Sequence, residues 1–143
     1  MERHFSFTPF VGVNDLKFGI SQETIIEILG EPNQSVPYGY PNRDMVLLDY
    51  GYLHLVVDKD NKLMFISLML INSSDDFFIE YSEKSIQVNI DADTLVPIMQ
   101  ELFSDFQKDD NGEGYTSIRY GIGIFCPEDE VEDVVIFSEG HVS

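Results

Sequence analysis

The chain has 143 residues and a mass of 16.4 kDa, which is enough for one domain that folds without a metal or a disulfide. It carries 26 acidic and eight basic residues, for a net charge of −18. This balance argues against nucleic acid or an anionic membrane as a partner, because both require a basic patch. The one cysteine excludes an internal disulfide framework.

The N-terminal sequence predicts no targeting segment. It has no basic start followed by an apolar run and no early cysteine that could take a lipid. The longest apolar run, from Leu63 to Ile71, is interrupted by Ser67 and is too short to span a bilayer. We therefore expect a cytoplasmic protein.

Strands are predicted on both sides of the first helix. Phe5 to Thr8 is expected to form an edge strand, while Met45 to Tyr50 and Tyr52 to Asp58 are rich in residues that favour strands. Lys62 to Ile71 is apolar at both alternating positions. Since this pattern is typical of strands buried on two faces, we expect it to be central and covered.

The first helix is predicted between Ser21 and Gly30. The Ser21 side chain can accept a backbone N–H of the first turn, as preferred N-cap residues do. Ile25, Ile28 and Leu29 form an apolar stripe at helical spacing. Gly30 can adopt a left-handed conformation, which favours the end of the helix there.

The second half of the chain follows the same order. Ser85 to Ile90 alternates between apolar and polar residues, as a strand with one wet face does. A second helix is predicted to have Asp93 or Thr94 as its N-cap, to hold Pro97 in or near its first turn, and to continue through Phe106. Two further strands form a second hairpin: Tyr115 to Phe125 and Val131 to Phe137.

An internal repeat relates the two halves at a constant offset of 70 residues. The segments aligned without a gap are 21–29 with 91–99, 50–52 with 120–122, and 65–66 with 135–136. One offset that aligns both a helix and a hairpin predicts two tandem modules, at about residues 12–71 and 82–138, in a single domain of residues 1–143. A coincidence of αβ patterning is the alternative. The predicted fold is α+β, with two tandem helix–β-hairpin modules that form a mostly antiparallel sheet and pack two helices on it.

No group of residues predicts a catalytic or metal site. His4, His54 and His141 lack the spacing of metal ligands, and one cysteine supplies no thiolate cluster. Cys126 has no visible base beside it, and its repeat partner Val56 indicates a packing residue. We therefore expect a protein that is not an enzyme and that holds no cofactor and no metal.

Two glycine-containing segments fit turns and strands better than ligand loops. Asp109 to Gly114 offers oxygen ligands and a glycine at the sixth position of a calcium loop, but Tyr120 stands where the loop requires Glu. Gly121 and Gly123 lie within a strand pattern and do not precede a helix. Close backbone approach or a bulge is expected at these glycines.

The negative charge is concentrated in the second half of the chain. Residues 1–71 hold nine acidic and five basic residues, whereas residues 72–143 hold seventeen and three. Gathering like charges costs stability through self-repulsion, and a basic protein partner would compensate for it. Solvation of charged turns is the alternative interpretation. The residues predicted to bind this partner are Asp105, Asp109, Asp110, Glu113, Tyr115, Glu128, Asp129, Glu130, Glu132 and Asp133.

Two short motifs carry a resemblance to known families: Lys17-Phe18-Gly19-Ile20-Ser21 and Ile28-Leu29-Gly30-Glu31-Pro32. They resemble the helix-opening pattern of the small outer-membrane-assembly lipoproteins and of the β-lactamase inhibitor proteins, which are αβ modules, two in tandem in the inhibitors. The pattern also resembles small bacterial immunity proteins encoded beside polymorphic and contact-dependent toxins. Their acidic second half ends in a Gly-aromatic tail, here Ser138 to His141. The resemblance covers about residues 12–70, and the repeat extends it to about residue 138.

The resemblance implies an immunity protein that binds and neutralises a cognate toxin domain, with a cationic nuclease as the expected target and no catalytic residue carried over. The absence of a signal and of a lipidation cysteine departs from the lipoproteins and the secreted inhibitors, and favours a cytoplasmic immunity role. One alternative is a non-enzymatic adaptor or scaffold that binds a bacterial protein through its sheet, with an apolar rather than acidic contact surface. Another is a hydrolase that uses Cys126 or His54, which would require a deep pocket at either residue.

Overall fold

Two sheets and two helices share one hydrophobic core in this protein. The computed structural model describes residues 1–71 and 73–140, which contain thirteen strands and two helices. The predicted α+β class, with helices packed on a mostly antiparallel sheet, is confirmed. The strands divide into a five-stranded and an eight-stranded sheet, whereas the sequence predicts one sheet.

The two halves of the described chain have similar but not identical orders of elements: three strands precede the helix in the first half and two in the second, and four strands follow it in each. The elements of the first half are β1 (Glu2–Thr8), β2 (Gly12–Val13), β3 (Leu16–Lys17), α1 (Gln22–Leu29), β4 (Gln34–Tyr38), β5 (Met45–Asp49), β6 (Leu53–Val57) and β7 (Leu63–Met69). Those of the second half are β8 (Asp76–Tyr81), β9 (Lys84–Gln87), α2 (Ala92–Leu102), β10 (Gln107–Lys108), β11 (Gly114–Ser117), β12 (Ile122–Phe125) and β13 (Asp133–Phe137).

The eight-stranded sheet is assembled from four consecutive strands of each half. Its order is β10-β11-β12-β13-β7-β6-β5-β4, and every neighbouring pair is antiparallel. β7 and β13 pair at the centre, where Ile66 lies opposite Ile136, and the 70-residue offset aligns these same two residues. The pairing joins the two halves into one continuous sheet.

The five-stranded sheet has the order β3-β2-β1-β8-β9, with the parallel pair β1 and β8 in its interior. The prediction that Phe5 to Thr8 forms an edge strand is therefore wrong. β1 has β2 on one side and β8 on the other, and Phe5 and Phe7 are buried. Its longer pairing is with β8, a strand so distant in sequence that no local pattern reveals the contact.

A buried row of side chains crosses the eight-stranded sheet. Its members lie opposite one another on neighbouring strands, and each has an exposed fraction of 0%: Leu48, Leu55, Ile66, Ile136, Ile122 and Ser117. The face that carries this row is the inner face of the sheet, and the opposite face is the outer face. Ile25 of α1 and Leu95 and Met99 of α2 join the same core, so the helices pack on the inner face.

Helix α1 begins and ends where the sequence predicts. The Ser21 hydroxyl accepts the backbone N–H of Thr24 at 3.2 Å, and Gly30 follows the helix with a φ of 86°. Residues with a β-carbon are strained at this φ, which is why a glycine stands there. Ile25 of the predicted stripe is fully buried, whereas Ile28 is 40% exposed.

The N-cap of helix α2 lies two or three residues before the predicted Asp93 or Thr94. It is Asp91, whose carboxylate accepts the backbone N–H of Thr94 at 3.1 Å. The helix ends at Leu102, and Pro97 lies inside it rather than in its first turn. A β-bridge between Asp91 and Glu130 fixes this start. The prediction failed here because the bridge joins residues that are far apart in the chain.

The prediction of one strand from Tyr115 to Phe125 is wrong, because a turn separates β11 from β12. In this turn the Gly121 N–H donates to the Ser117 carbonyl at 2.9 Å, and Gly121 has a φ of 71°. The expected close backbone approach at Gly123 is confirmed. A β-carbon there would lie 3.0 Å from the Tyr115 carbonyl oxygen.

Five strands are not predicted from the sequence: the two-residue strands β2, β3 and β10, and the longer strands β4 and β8. β4 contains Pro37 and is exposed along its length, which fits the confinement of proline to edge strands. β8 begins at Asp76 and has no clean alternation of apolar and polar residues. It forms because β1 and β9 offer hydrogen-bond partners on its two sides.

Ile66→Ala is expected to lower the free energy of unfolding by about 2–5 kcal/mol, because it leaves a cavity at the centre of the buried row. Urea unfolding followed by circular dichroism measures the change. The control is Ile118→Ala, whose side chain is 60% exposed and for which a change below about 0.5 kcal/mol is expected. Equal effects at the two positions would contradict the assigned core.

Candidate protein-binding surfaces

A groove lies between the start of α2, the turn before β11 and the loop between β12 and β13. It is named the acidic groove, and its volume is about 440 Å³. Its lining includes Asp93, Lys108, Tyr115, Glu128 and Asp129. Three carboxylates and one aromatic ring thus line a single depression, and Lys108 is the basic residue among them.

Backbone hydrogen bonds hold the walls of the acidic groove together. The Ala92 N–H donates to the Asp129 carbonyl at 3.0 Å, which joins the β12–β13 loop to α2. The Cys126 N–H donates to the Glu113 carbonyl at 2.8 Å, which joins this loop to the turn before β11. Asp129 has a φ of 68°, a left-handed conformation that Asp and Asn adopt more readily than most residues.

The structure brings seven of the ten predicted partner-binding residues to the acidic groove and its rim. Tyr115, Glu128 and Asp129 line the groove. Glu130 lines an adjoining depression, to which Glu128 and Asp129 also contribute. The other three, Asp109, Asp110 and Glu113, lie in the turn before β11, which borders the groove through Lys108 and Gly112. Asp109 and Asp110 themselves line a separate depression on this turn.

Most of these carboxylates have no hydrogen-bond or ion-pair partner among the residues that the structure describes. Within residues 1–71 and 73–140, the ion pairs lie elsewhere in the fold. Asp109 is engaged, because it accepts the Thr116 hydroxyl at 2.7 Å. The exposed acidic residues of this set are Asp110, Glu113, Glu128, Asp129 and Glu130.

Tyr115 belongs to the core and to the groove at once. Its ring stacks on Phe106, with centroids 5.8 Å apart and an angle of 15° between the planes. The same residue lines the acidic groove. A ring fixed in this way offers a contact surface with little conformational entropy to lose.

Asp105 stands apart from the acidic groove. Its carboxylate accepts hydrogen bonds from the buried Ser117 hydroxyl and from the backbone N–H of Arg119. Burial raises the pKa of Asp105, but these hydrogen bonds outweigh burial and hold the pKa below its usual value. Asp105 therefore anchors the turn between β11 and β12, and its carboxylate is already engaged within the chain.

Glu132 and Asp133 also lie outside the lining of the acidic groove. The backbone carbonyl of Glu132 accepts the N–H of Leu70 at 3.0 Å, which continues the pairing of β13 with β7. The Asp133 side chain reaches a depression on the outer face of the large sheet. The ten predicted residues thus occupy at least three separate places.

The depression on the outer face is named the outer pocket, and its volume is about 310 Å³. Because side chains alternate along a strand, its walls are the residues that point away from the buried row. They come from β4, β5, β6, β7 and β13: Tyr38, Leu47, His54, Val56, Phe65, Ser67, Met69, Asp133 and Val135. Apolar side chains predominate, and Asp133 is the one acidic residue in this lining.

Asp133 is poorly solvated in the outer pocket. Its Oδ1 atom is buried and accepts no hydrogen bond from the part of the chain that the structure describes. Burial, together with the carboxylate of Glu132, raises the pKa of Asp133 to about 6, although His54 acts in the opposite direction. At neutral pH this residue is a carboxylate with an unsatisfied oxygen, which is an unfavourable state without a cation.

Cys126 does not have the surroundings of a nucleophile. It lines the acidic groove and is 9% exposed. Burial, together with the carboxylates of Asp129 and Asp109, raises the pKa of its thiol, so the thiol stays protonated at neutral pH. Within the described residues, no hydrogen bond joins its sulfur to an imidazole or a carboxylate that could act as a base.

His54 is paired, but not in a way that supports hydrolysis. Its Nε2 lies 3.1 Å from Oδ1 of Asp49, and Ser67 lies opposite it on the next strand. An oxyanion would need free N–H donors nearby, whereas those of β6 are used in sheet pairing on both sides. Of the other histidines, His4 lies on the small sheet, and His141 lies outside the described residues.

The sequence does not single out the outer pocket, although two signals for it exist. The first signal is that Asp49 and His54 flank a short turn. A hairpin closed by this turn places the two residues opposite each other on β5 and β6. The second signal concerns Asp133, which is grouped with the neighbouring acidic residues in the sequence-based prediction. The alternation of β13, however, places it on the face opposite Val134 and Ile136.

The acidic turn between β10 and β11 is stabilised by a hydrogen bond from its backbone to one of its own side chains. The Asn111 Oδ1 accepts the backbone N–H of Glu113 at 2.9 Å. Across residues 1–71 and 73–140, no three His, Cys, Asp or Glu side chains are grouped so that they could hold a metal ion. Of the two described helices, neither is long and apolar enough to cross a bilayer.

No family model, no curated protein and no solved structure matches this chain. The two motifs behind the resemblance frame α1, since the first ends at the N-cap Ser21 and the second contains Gly30. The resemblance to immunity proteins and inhibitor proteins stays a prediction. The case for a function rests on the two surfaces themselves.

Asp105→Ala is expected to destabilise the protein by about 1–3 kcal/mol at neutral pH, because the buried Ser117 hydroxyl loses its acceptor. A carboxyl with a lowered folded-state pKa contributes stability above its unfolded pKa and loses it as pH falls through the folded value. Urea unfolding at neutral and at acidic pH measures both effects. Asp110→Ala, in the exposed turn, is the control. An Asp105 variant as stable as this control would contradict the anchoring role.

Asp133→Asn is expected to stabilise the protein at neutral pH more than in acid. The folded-state pKa of about 6 exceeds the unfolded value of about 3.9, so stability is lost as pH rises between the two. The variant avoids this loss, which is of the order of 1–2 kcal/mol after discounting for solvent screening. Urea unfolding of both proteins at about pH 4 and about pH 7.5 measures the difference. A difference that does not change with pH would refute the assigned burial, and exposed Asp15→Asn is the control.

Proposed function

We propose that this protein is an immunity protein that binds a cognate toxin domain of basic character, a cationic nuclease, and neutralises it through the acidic groove. The observation that carries the proposal is the set of exposed carboxylates around this groove. Five of them have no ion-pair partner within the described residues. The net charge of −18 and the two motifs that resemble immunity proteins point in the same direction.

The placement of the charges favours a basic partner over a general solubility coat. Two turns, one before β11 and one between β12 and β13, border the same groove, and together they supply six carboxylates: Asp109, Asp110, Glu113, Glu128, Asp129 and Glu130. Mutual repulsion among these groups raises the free energy of the unbound protein. A cationic partner relieves that repulsion, so the relief contributes to the free energy of binding.

The chemistry of a nuclease matches this surface. Such an enzyme holds nucleic-acid phosphates with Lys and Arg, and the carboxylates of the groove offer the same sign of charge to those side chains. Hydrogen bonds fix the β12–β13 loop at Ala92 and at Cys126, so little freedom is lost on binding. Tyr115 adds a rigid aromatic contact of the kind that anchors interfaces. Covering the nucleic-acid site is sufficient for neutralisation and needs no catalytic group.

The variant that tests the proposal combines Glu128→Lys, Asp129→Asn and Glu130→Lys. Asn is chosen at 129 because the left-handed φ of 68° is unfavourable for Lys. The wild-type protein is expected to protect cells that express the product of the gene directly upstream, and the variant is expected to fail. With the purified pair, the association rate should fall by about tenfold or more in the variant. It should also fall with added salt for the wild type.

A matched control makes the same change in net charge away from the groove. It combines Asp15→Asn, Glu27→Lys and Glu31→Lys, all of which are exposed positions of the first half. This control is expected to protect cells as well as the wild type. Equal loss in both variants would assign binding to total charge and contradict the groove as the site. An upstream product that is not toxic would contradict the immunity role.

A second candidate function is an adaptor or scaffold that binds a bacterial protein through its sheet. The outer pocket favours this candidate, because its lining is mostly apolar and contains no helix residue. Gene context separates the two functions, since an immunity gene lies directly behind a toxin gene and an adaptor gene need not. Binding by an adaptor would also survive the triple change at residues 128–130.

A further inference from the structure

We propose that the outer pocket binds a single arginine or lysine side chain of a protein partner, with Asp133 as the counter-charge. The outer pocket and the acidic groove share no lining residue. The inference is therefore independent of the proposed function, and it holds for any partner that presents a basic side chain between apolar ones.

The first argument is the unsatisfied oxygen of Asp133. Its Oδ1 is inaccessible to solvent and accepts no hydrogen bond from the described residues, although the residue lines an open depression. Buried polar atoms nearly always have a partner, so an orphan in a native protein indicates a missing donor. Rotation of the carboxylate about its Cβ–Cγ bond would bring this oxygen to the depression, where a guanidinium or ammonium group would supply the missing donor together with the opposite charge.

The second argument is the shape and chemistry of the walls. Val56, Met69 and Val135 line the pocket beside Asp133 and offer apolar surface to the methylene stem of a long basic side chain. The volume of about 310 Å³ lies at the low end of ligand pockets, which range over roughly 300–1,000 Å³. It suits one side chain better than a large organic ligand.

The third argument is that the pocket has no cation of its own that is committed to Asp133. The lining contains no Lys or Arg. His54 is the one titratable base there, and its Nε2 is already paired with Asp49 at 3.1 Å. Across the described residues, no ion pair includes Asp133.

Two other occupants fit less well. A metal ion needs several ligands, and no group of three His, Cys, Asp or Glu side chains that could hold one exists among the described residues. A second copy of this chain would bring a charge of −18 towards an equal charge, which opposes association. A basic partner is attracted by that same charge.

The experiment uses the full chain labelled with ¹³C at the methionine methyl groups and titrated with acetyl-arginine methylamide. The Met69 methyl in the pocket is expected to shift with a dissociation constant of the order of 1–10 mM, as for a ligand of this size. The methyl group of Met99, a fully buried residue of α2 in the core, is the internal control and should not shift. Acetyl-citrulline methylamide has nearly the same shape but no charge, and should bind about tenfold more weakly or not at all.

Asp133→Asn is the matching change in the protein, and about tenfold weaker binding of the arginine probe is expected for it. Asp15→Asn, an exposed change on the small sheet, should bind like the wild type. An unaltered Met99 signal in the Asp133 variant confirms that the fold is kept.

Three results would overturn the proposal. They are the absence of a saturable Met69 shift, equal binding of the two probes, and equal binding by the wild type and Asp133→Asn. A Met69 shift that depends on protein concentration without any probe would instead assign the pocket to a second copy of the chain. None of these results bears on the acidic groove, so the two proposals can fail separately.

Discussion

The antiparallel pairing of β7 with β13 is the interaction on which the rest of the structure depends. It places Ile66 opposite Ile136 and extends one buried row across six strands. A slip of one residue in this register would turn the row towards the outer face and the polar residues towards the helices. The same pairing removes two strand edges that would otherwise attract other chains.

This central register also decides where the charges can lie. The strands of the buried row carry almost no charge on the inner face, so the carboxylates collect in the turns at the ends of the strands. The meander of β10 to β13 brings two of these turns to the start of α2. Each turn alone is an ordinary solvated loop. Where the two turns lie side by side, their carboxylates repel one another, and this repulsion is largest when no cation is bound.

The two surfaces use carboxylates in physically different ways. Around the acidic groove the charges are exposed and individually weak, and they act over roughly the 10 Å of the Debye length at 0.1 M salt. In the outer pocket one carboxylate is poorly solvated, so a single well-placed donor changes its free energy strongly. If the two proposals hold, the first arrangement governs the rate of encounter with a partner, and the second discriminates between partners by short-range contact.

The sequence by itself determined the α+β class, both ends of α1 and the excess of acid in the second half. These properties depend on composition and on patterns within about ten residues, such as the Ser21 cap and the glycine after Leu29. Only the tertiary structure decided the pairing of β1 with β8, the start of α2 at Asp91, and the different environments of Asp105, Asp129 and Asp133. All Asp residues look alike in the sequence. Their properties differ because tertiary contacts give them different burial and different hydrogen bonds.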